Sequence, residues 1–539
     1  MDATQGLWLL TVPVLAVGVA AVARRTGVSA PLALVVAGLL ATAIPGTPDF
    51  ELDPEFVLFA FLPPLLFAAA WQSSLPNLRD NARPIAYLSV GLVLCTTLVT
   101  GYVVYLIVPG LPLAAAFVLG AIVAPPDAVA AVGVAKRLGL PRRVVTVLVG
   151  ESLFNDATAL TAFRIAVAAA AGEGVSLATG GERFLFAAVG GTLVGLAAGP
   201  PLHWLRTRLR DPLAENAVAV LAPFAAYLVA EAVHASGVIA VVVSGLYLGH
   251  RFTESPAATR VLGLSFWKVL TFILESVVFL LIGLQLPAVV EGLSAWHPLT
   301  LAWWALTVFA VVVAVRFAWV FATALVPALV ARRRARTGGA VDDTRRLNRR
   351  ELTVVSWAGM RGVVSLAAAF AIPVTTARGE PFPERHLILF LTFTTVLATL
   401  LVQGVTFPAL IRRLGIGGEA ERHTDAVAEA GAQHAAARAA LERLEALVAE
   451  EEDLDEQVLR RLRELAEYRQ LRAWERLGGG TGPGGTEVPT AVYQRLRREM
   501  LAAEREVFVR LRDERRIDDE VLDRVLRELD LEEVALSRD

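Results

Sequence analysis

Between residues 7 and 411 the chain consists of long apolar blocks separated by short polar loops. A helix that crosses a bilayer needs roughly 20 consecutive apolar residues, and by that measure the pattern predicts about thirteen spans. Among them are 111–135, 143–171, 352–375 and 386–411. Beyond residue 415 the character changes. Residues 424–476 and 488–534 set apolar side chains at helical spacing among Ala, Glu and Arg, as in LERLEALVAEEEDLDEQVLRRLRELAEYRQL. The stretch LGGGTGPGGTEVP between them reads as a flexible break. The pattern thus predicts an all-α polytopic membrane protein over 1–415, followed by a cytoplasmic α-helical tail over 416–539.

The loops give this count an independent check. Alternate loops carry ARRTG, NLRDNARP, KRLGLPRR, HWLRTRLRD and ARRRARTGGAVDDTRRLNRR, whereas of the intervening PGTPDFELDPE, PGLP, AGEGVSLATGGE, HASG, PAVVEGLSAWHP and TTARGEPFPE only the last holds a basic residue, Arg378. Basic residues collect on the cytoplasmic side of membrane proteins. The asymmetry therefore places the N-terminus outside and the tail inside, in the plasma (inner) membrane. MDATQG has no base before the first apolar block, and Arg24 and Arg25 follow it, so that block reads as a retained helix and not a cleaved signal.

An odd number of spans permits two six-helix halves of opposite orientation joined by a seventh helix, an arrangement common in secondary transporters. In the fifth span, AIVAPPDAVAA, Pro125 and Pro126 remove two amide donors mid-membrane. Its counterpart in the second half, SWAGMRGVVSL, has Gly359 and Gly362 around Arg361. Paired interrupted helices of this kind point to an ion site near the midplane.

Composition supports the membrane reading: of 539 residues 55% are hydrophobic and 19% charged, with a mean hydropathy of +0.57. The single cysteine, Cys95, excludes an internal disulfide and a cysteine-based metal cluster. The formal charge of −2 conceals an asymmetry. Residues 416–539 hold 30 acidic and 20 basic side chains, and the preceding part holds 22 acidic and 30 basic. The tail contains no nucleotide-binding loop or metal motif, and either packs on itself as a solvated helical domain or serves regulation or dimer bridging. No cofactor and no nucleic-acid partner are expected; the surroundings are membrane lipid.

A charge at the bilayer centre costs about 2.5–3.5 kcal/mol even on the lenient insertion scale. The chain nevertheless places Asp127, Glu151, Asp156, Glu275 and Arg361 within apolar spans. In GESLFNDATAL, Ser152, Asn155 and Asp156 stand at i, i+3 and i+4 and share one helix face. Glu151 is expected to be neutralised by Arg361, with Asn155 steadying the two acids. Asp156 is then left without a built-in partner. Such a carboxylate avoids bare charge by taking a proton or by binding a cation. Ser152, Asn155 and the carbonyls freed by Pro125 and Pro126 are hard oxygen ligands suited to a monovalent cation.

If one carboxylate serves both ions, they compete for it, and a site open to one side at a time is an antiporter. Asp127 either supports the dipoles of the broken helices or contacts the ion. Glu275, in LESVVFLLIGL, reads as a supporting structural acid. His203 and His234 lie near helix ends as bystanders or pH sensors, and Arg164 and Arg316 are expected to snorkel or pair locally. A cation channel is the rival of another class. A membrane hydrolase would need a second free acid or base facing the first, so no enzyme activity is expected.

FLPPLLFAAAW, PPDAVA, GESLFNDATAL, LESVVFLLIGLQLP and GMRGVVSLAAA, in this order, resemble the sodium/proton exchangers of the monovalent cation/proton antiporter superfamily, NhaP-like branch. The resemblance covers roughly 7–411. It implies an NhaA-like fold with two crossed, unwound helices, a homodimer, and electroneutral exchange of Na⁺, or alternatively K⁺, for H⁺. It also implies that Asp156 is the ion-binding acid, helped by Ser152 and the backbone near Pro125–Pro126, and that Glu151 and Arg361 form a structural ion pair. One departure stands out: after the double proline of the third span the chain reads AAAWQ, where relatives often carry an acid.

Overall fold

The computed structural model describes residues 3–44, 54–172, 177–294, 296–336, 347–376, 379–417, 419–450, 455–477 and 489–537. Apart from one isolated bridge between Thr375 and Pro381, the described residues form helices and their connections. Within a bilayer no water can satisfy a backbone amide, so apolar blocks of this length must close their hydrogen bonds internally, as helices. Each apolar stretch anticipated from the sequence carries helix. Among the described residues, seven helices are long and apolar enough to cross a membrane unaided: residues 82–107, 142–170, 178–209, 212–232, 257–291, 298–325 and 385–414.

The chain divides into two units, Met1–Gly417 and Gly418–Asp539. The core of the first unit is drawn from Ala, Val, Leu and Phe of many helices. Helices approach closely where side chains are absent. Gly38 of Ala30–Ala41 and Gly283 of Ala257–Glu291 face each other, and a methyl group on either would strike the backbone of the other helix. In the second unit Glu419–Glu450 packs on Glu456–Leu477, and Pro489–Asp513 on Asp519–Ser537. The expected flexible break falls at 478–488, outside the described residues.

Two expected spans are broken. The stretch 111–135 consists of Leu113–Val123 and Ala128–Arg137, separated by Pro125 and Pro126, whose rings cannot donate to the preceding turn. The stretch 352–375 consists of Arg349–Trp357 and Val363–Phe370. Its first piece opens on a capping box: Asn348 Oδ1 accepts from the Glu351 amide (2.9 Å) and Glu351 Oε2 accepts from the Asn348 amide (2.7 Å). It ends at Trp357, before Gly359, and helix resumes only after Gly362, which is extended. Beside this second break the chain also bulges into a π-helical turn at Thr399–Gly404.

Candidate functional site

The two breaks meet. The Asp127 amide donates to the Met360 carbonyl (2.6 Å), and Arg361 Nε donates to the Val123 carbonyl (3.0 Å). Arg361 also donates through Nη1 to the Gly359 carbonyl, and its amide donates to Thr399 Oγ1 (3.0 Å). The last carbonyls of a helix lack intrahelical partners and carry its negative end. A guanidinium on Val123 therefore satisfies both the orphan acceptor and the dipole of Leu113–Val123. The complementary arrangement holds at Gly362, the residue before Val363–Phe370. A methyl group there would overlap the Asp127 carboxylate, so that acid lies against the positive end of the restarted helix. Each break lends its charge to the other.

The helix Arg142–Ala170, hereafter the site helix, is uninterrupted and packs against Leu113–Val123. It carries Glu151, Asn155 and Asp156 inward, at 1%, 0% and 7% exposure, with Ser152 half-buried one turn before Asp156. Asn155 does not sit between the acids to steady them, as its spacing suggested. Its Nδ2 donates to the Pro126 carbonyl (2.6 Å), clamping the first break to the site helix. The reason is geometric: the proline pair leaves a buried acceptor exposed at that height, and the amide is the donor that reaches it. Asn155 Oδ1 remains without a partner among the described residues. Pro125 and Pro126 are buried in the break.

The ion pair of Glu151 also differs from expectation. Its partner is Arg316, not Arg361. Arg316 Nη1 donates to Glu151 Oε1 and Nη2 to Oε2 (2.9 Å), and both side chains are 1% exposed. Arg316 lies in Pro298–Arg336 and additionally donates from Nε (3.2 Å) and Nη2 (3.0 Å) to the Val355 carbonyl. It neither snorkels nor pairs locally. Arg361 feels the charge of Glu151, but its Nε and Nη1 donate to backbone carbonyls of the breaks. The sequence held a signal for this. Arg316 stands in VVVAVRFAWVF, where an unpaired guanidinium is costly, so a carboxylate or backbone-carbonyl partner was to be sought for it.

Asp156 is what remains. Among the described residues no hydrogen bond or ion pair reaches its carboxylate, while Asp127 adds a like charge nearby. Glu275, half-buried on Ala257–Glu291, interacts electrostatically with Asp127 and with Arg24. The breaks thus have each other, Glu151 has Arg316, and Asp156 has no fixed partner among the described residues. Thr399, which holds the second break, was not singled out in the sequence; a lone threonine in an apolar span gives no local sign of such a role. His203 lies 3.3 Å from Glu254, remote in sequence from the site, and Arg164 pairs with Glu231 at the far end of the site helix.

The family described as sodium/hydrogen exchanger, transmembrane, matches residues 12–413. A protein named as an uncharacterized Na⁺/H⁺ exchanger of Mycobacterium tuberculosis is 37% identical, the match covering 98% of this chain and 96% of the relative. A sodium, potassium, lithium and rubidium/H⁺ antiporter of Bacillus subtilis is 33% identical over 70% of this chain and 57% of its own length. In fold, the chain is similar to the sodium proton antiporter MjNhaP1 of Methanocaldococcus jannaschii at pH 8. The TM-score is 0.60 at 19% identity, over 76% of this chain and 98% of that one.

Proposed function

Since the chain belongs to the sodium/hydrogen exchanger family, we propose that it exchanges Na⁺ for H⁺ electroneutrally, the two ions competing for the Asp156 carboxylate. The observation that carries this reading is the uneven distribution of partners. Of the charged side chains around the breaks, Glu151 and Arg361 have fixed opposite charge or backbone acceptors, and Asp156 has none among the described residues. A bare carboxylate in a dry site is unstable, so Asp156 holds either a proton or an alkali cation. Ser152, one turn away, and the backbone at Pro125–Pro126 complete an oxygen-rich seat for a desolvated cation. Asp127 in this reading tunes the field of the breaks instead of binding the ion, because it lies against the start of Val363–Phe370.

The exchange cycle follows from exclusion. Occupancy by H⁺ or by Na⁺ leaves the site with the same net charge, and only an occupied site can cross the dry part of the membrane between its two openings. Exchange is then obligatory and carries no net charge. The wider architecture we propose is thirteen spans in two inverted six-helix halves, N-terminus outside and tail cytoplasmic, assembled as a homodimer in the plasma membrane. K⁺ is the second candidate cation. The Bacillus subtilis relative is named for several alkali cations, and the third span here lacks an acid that would narrow the choice.

Full-length protein in proteoliposomes with a trapped pH dye tests this reading. An outward-directed H⁺ gradient should dissipate only when Na⁺, K⁺ or Li⁺ is supplied on the opposite face, each titrated separately. Asp156→Asn should insert and fold but exchange nothing. Normal exchange in that variant, or dissipation without any counter-cation as a channel would give, overturns the proposal.

A further inference from the structure

A cavity of about 420 Å³ opens beside the last third of the site helix, lined by Thr161, Arg164, Arg183, Glu231, His234 and Ser236. Apolar side chains such as Phe186 and Val238 complete the wall, and the volume together with its charged groups suits water. Leu160 and Arg164 follow Asp156 by one and two turns on the same side of the helix, about 6 and 12 Å along its axis. Leu160 also borders the cavity, so a single helical turn separates the polar space from the ion-binding acid.

Across the cavity wall Arg164 donates to both oxygens of Glu231, at 2.9 and 3.0 Å. Glu231 lies near the end of Pro212–Ala232, and its Oε1 also accepts from the amide of Gly237, the first residue of Gly237–His250 (3.3 Å). Tyr227, one turn earlier, interacts with the same guanidinium. One carboxylate therefore ties the helix that carries Asp156 to the corner between two other helices. The pair is half in water, at 52% and 29% exposure. A solvated pair of this kind adds little to stability. Its effects are positional and electrostatic: it bridges the two walls, and it cancels a positive charge on the way to a cation site.

We propose that the Arg164–Glu231 pair is a latch across a polar vestibule, joining the walls through which a hydrated alkali cation reaches Asp156 from the side of the membrane where the site helix ends. The proposal rests on Asp156 as the exchange site. When the walls are joined, the pair adds no net charge to the vestibule, which Arg183 also lines, and the site helix is held against the corner. When they part, the Glu231 carboxylate faces the space that the cation enters.

Two measurements on the full chain in proteoliposomes test it. In Glu231→Gln, Arg164 stands unpaired at the vestibule, and the apparent KM for Na⁺ should rise about three- to tenfold at low ionic strength and by less in concentrated choline chloride. Arg164→Gln should move KM the other way, and the charge-exchanged Arg164→Glu/Glu231→Arg protein should bring it back to within about twofold of the wild type. In a Cys95→Ala background, Arg164→Cys/Glu231→Cys joined by a cleavable thiol cross-linker should stop exchange, and reductant should restore it. Undiminished exchange in the fully cross-linked protein, or an unaltered KM in both single charge variants, overturns the latch. If those results come from a wild-type protein that exchanges and an Asp156→Asn protein that does not, the latch alone falls. If the wild type itself exchanges no cation, the assignment of Asp156 falls with it.

Discussion

The site helix carries two arginine–carboxylate pairs of the same bidentate form in opposite media. Glu151–Arg316 is dry, with both side chains 1% exposed, and the Val355 carbonyl takes further donors of the guanidinium. Arg164–Glu231, thirteen residues further along the helix, borders the 420 Å³ cavity and is half exposed. The chemistry of the contacts is alike; the dielectric around them is not. In the dry pair neither partner can be lost without leaving a bare charge in a region that cannot solvate it, so the pair is permanent. In the wet pair water substitutes for either partner at little cost, so the contact can open and close. A transporter needs both: a fixed frame that holds the site, and a contact whose breaking admits the ion.

The difference can be put to the test most severely at Arg316. Arg316→Leu should destabilise the membrane unit by about 3–5 kcal/mol, seen as a large fall in melting temperature in detergent, because Glu151 is left ionised and buried. Glu151→Leu/Arg316→Leu should recover much of that loss; if it does not, the dry pair does more than neutralise itself. Arg164→Ala should lower stability by no more than about 1 kcal/mol while changing cation dependence, and a loss as large as that at Arg316 would erase the contrast drawn here.

The smallest effect is expected in the tail, where Arg497 pairs with Glu532 (two contacts at 2.7 Å) and with Glu504 (2.8 Å) at the surface of the Pro489–Asp513/Asp519–Ser537 hairpin. The hydrogen bonds from Arg497 hold the Glu532 carboxyl below the usual carboxylate range. A lowered carboxylate contributes stability at pH above its unfolded value and loses that contribution as pH falls through the folded one. Arg497→Ala should therefore reduce amide-exchange protection of the hairpin by under about 1 kcal/mol at neutral pH, and by nothing measurable once the pH is well below the carboxylate range.

Local chemistry made a good part of this molecule legible in advance. Apolar runs of bilayer length become helices because no other backbone conformation is tolerated there. Pro125–Pro126 and Gly359–Gly362 break their helices for reasons contained within a few residues. Asp156 stood out because a polar cluster in an apolar run needs a cause. What the one-dimensional string could not carry was who answers whom. Glu151 and Arg316 are 165 residues apart, and two buried guanidiniums were available to that acid. Only the packing of the breaks, which commits Arg361 to the Val123 and Gly359 carbonyls, leaves Arg316 as the partner.

The destination of the Asn155 amide and the cavity beside Arg164 were settled in the same way, by which surfaces the fold brings together and how much space it leaves between them. Helix, break and charge position are properties of neighbouring residues and were determined by sequence alone. Pairing and dielectric are properties of distant residues brought into contact, and the tertiary structure decided them.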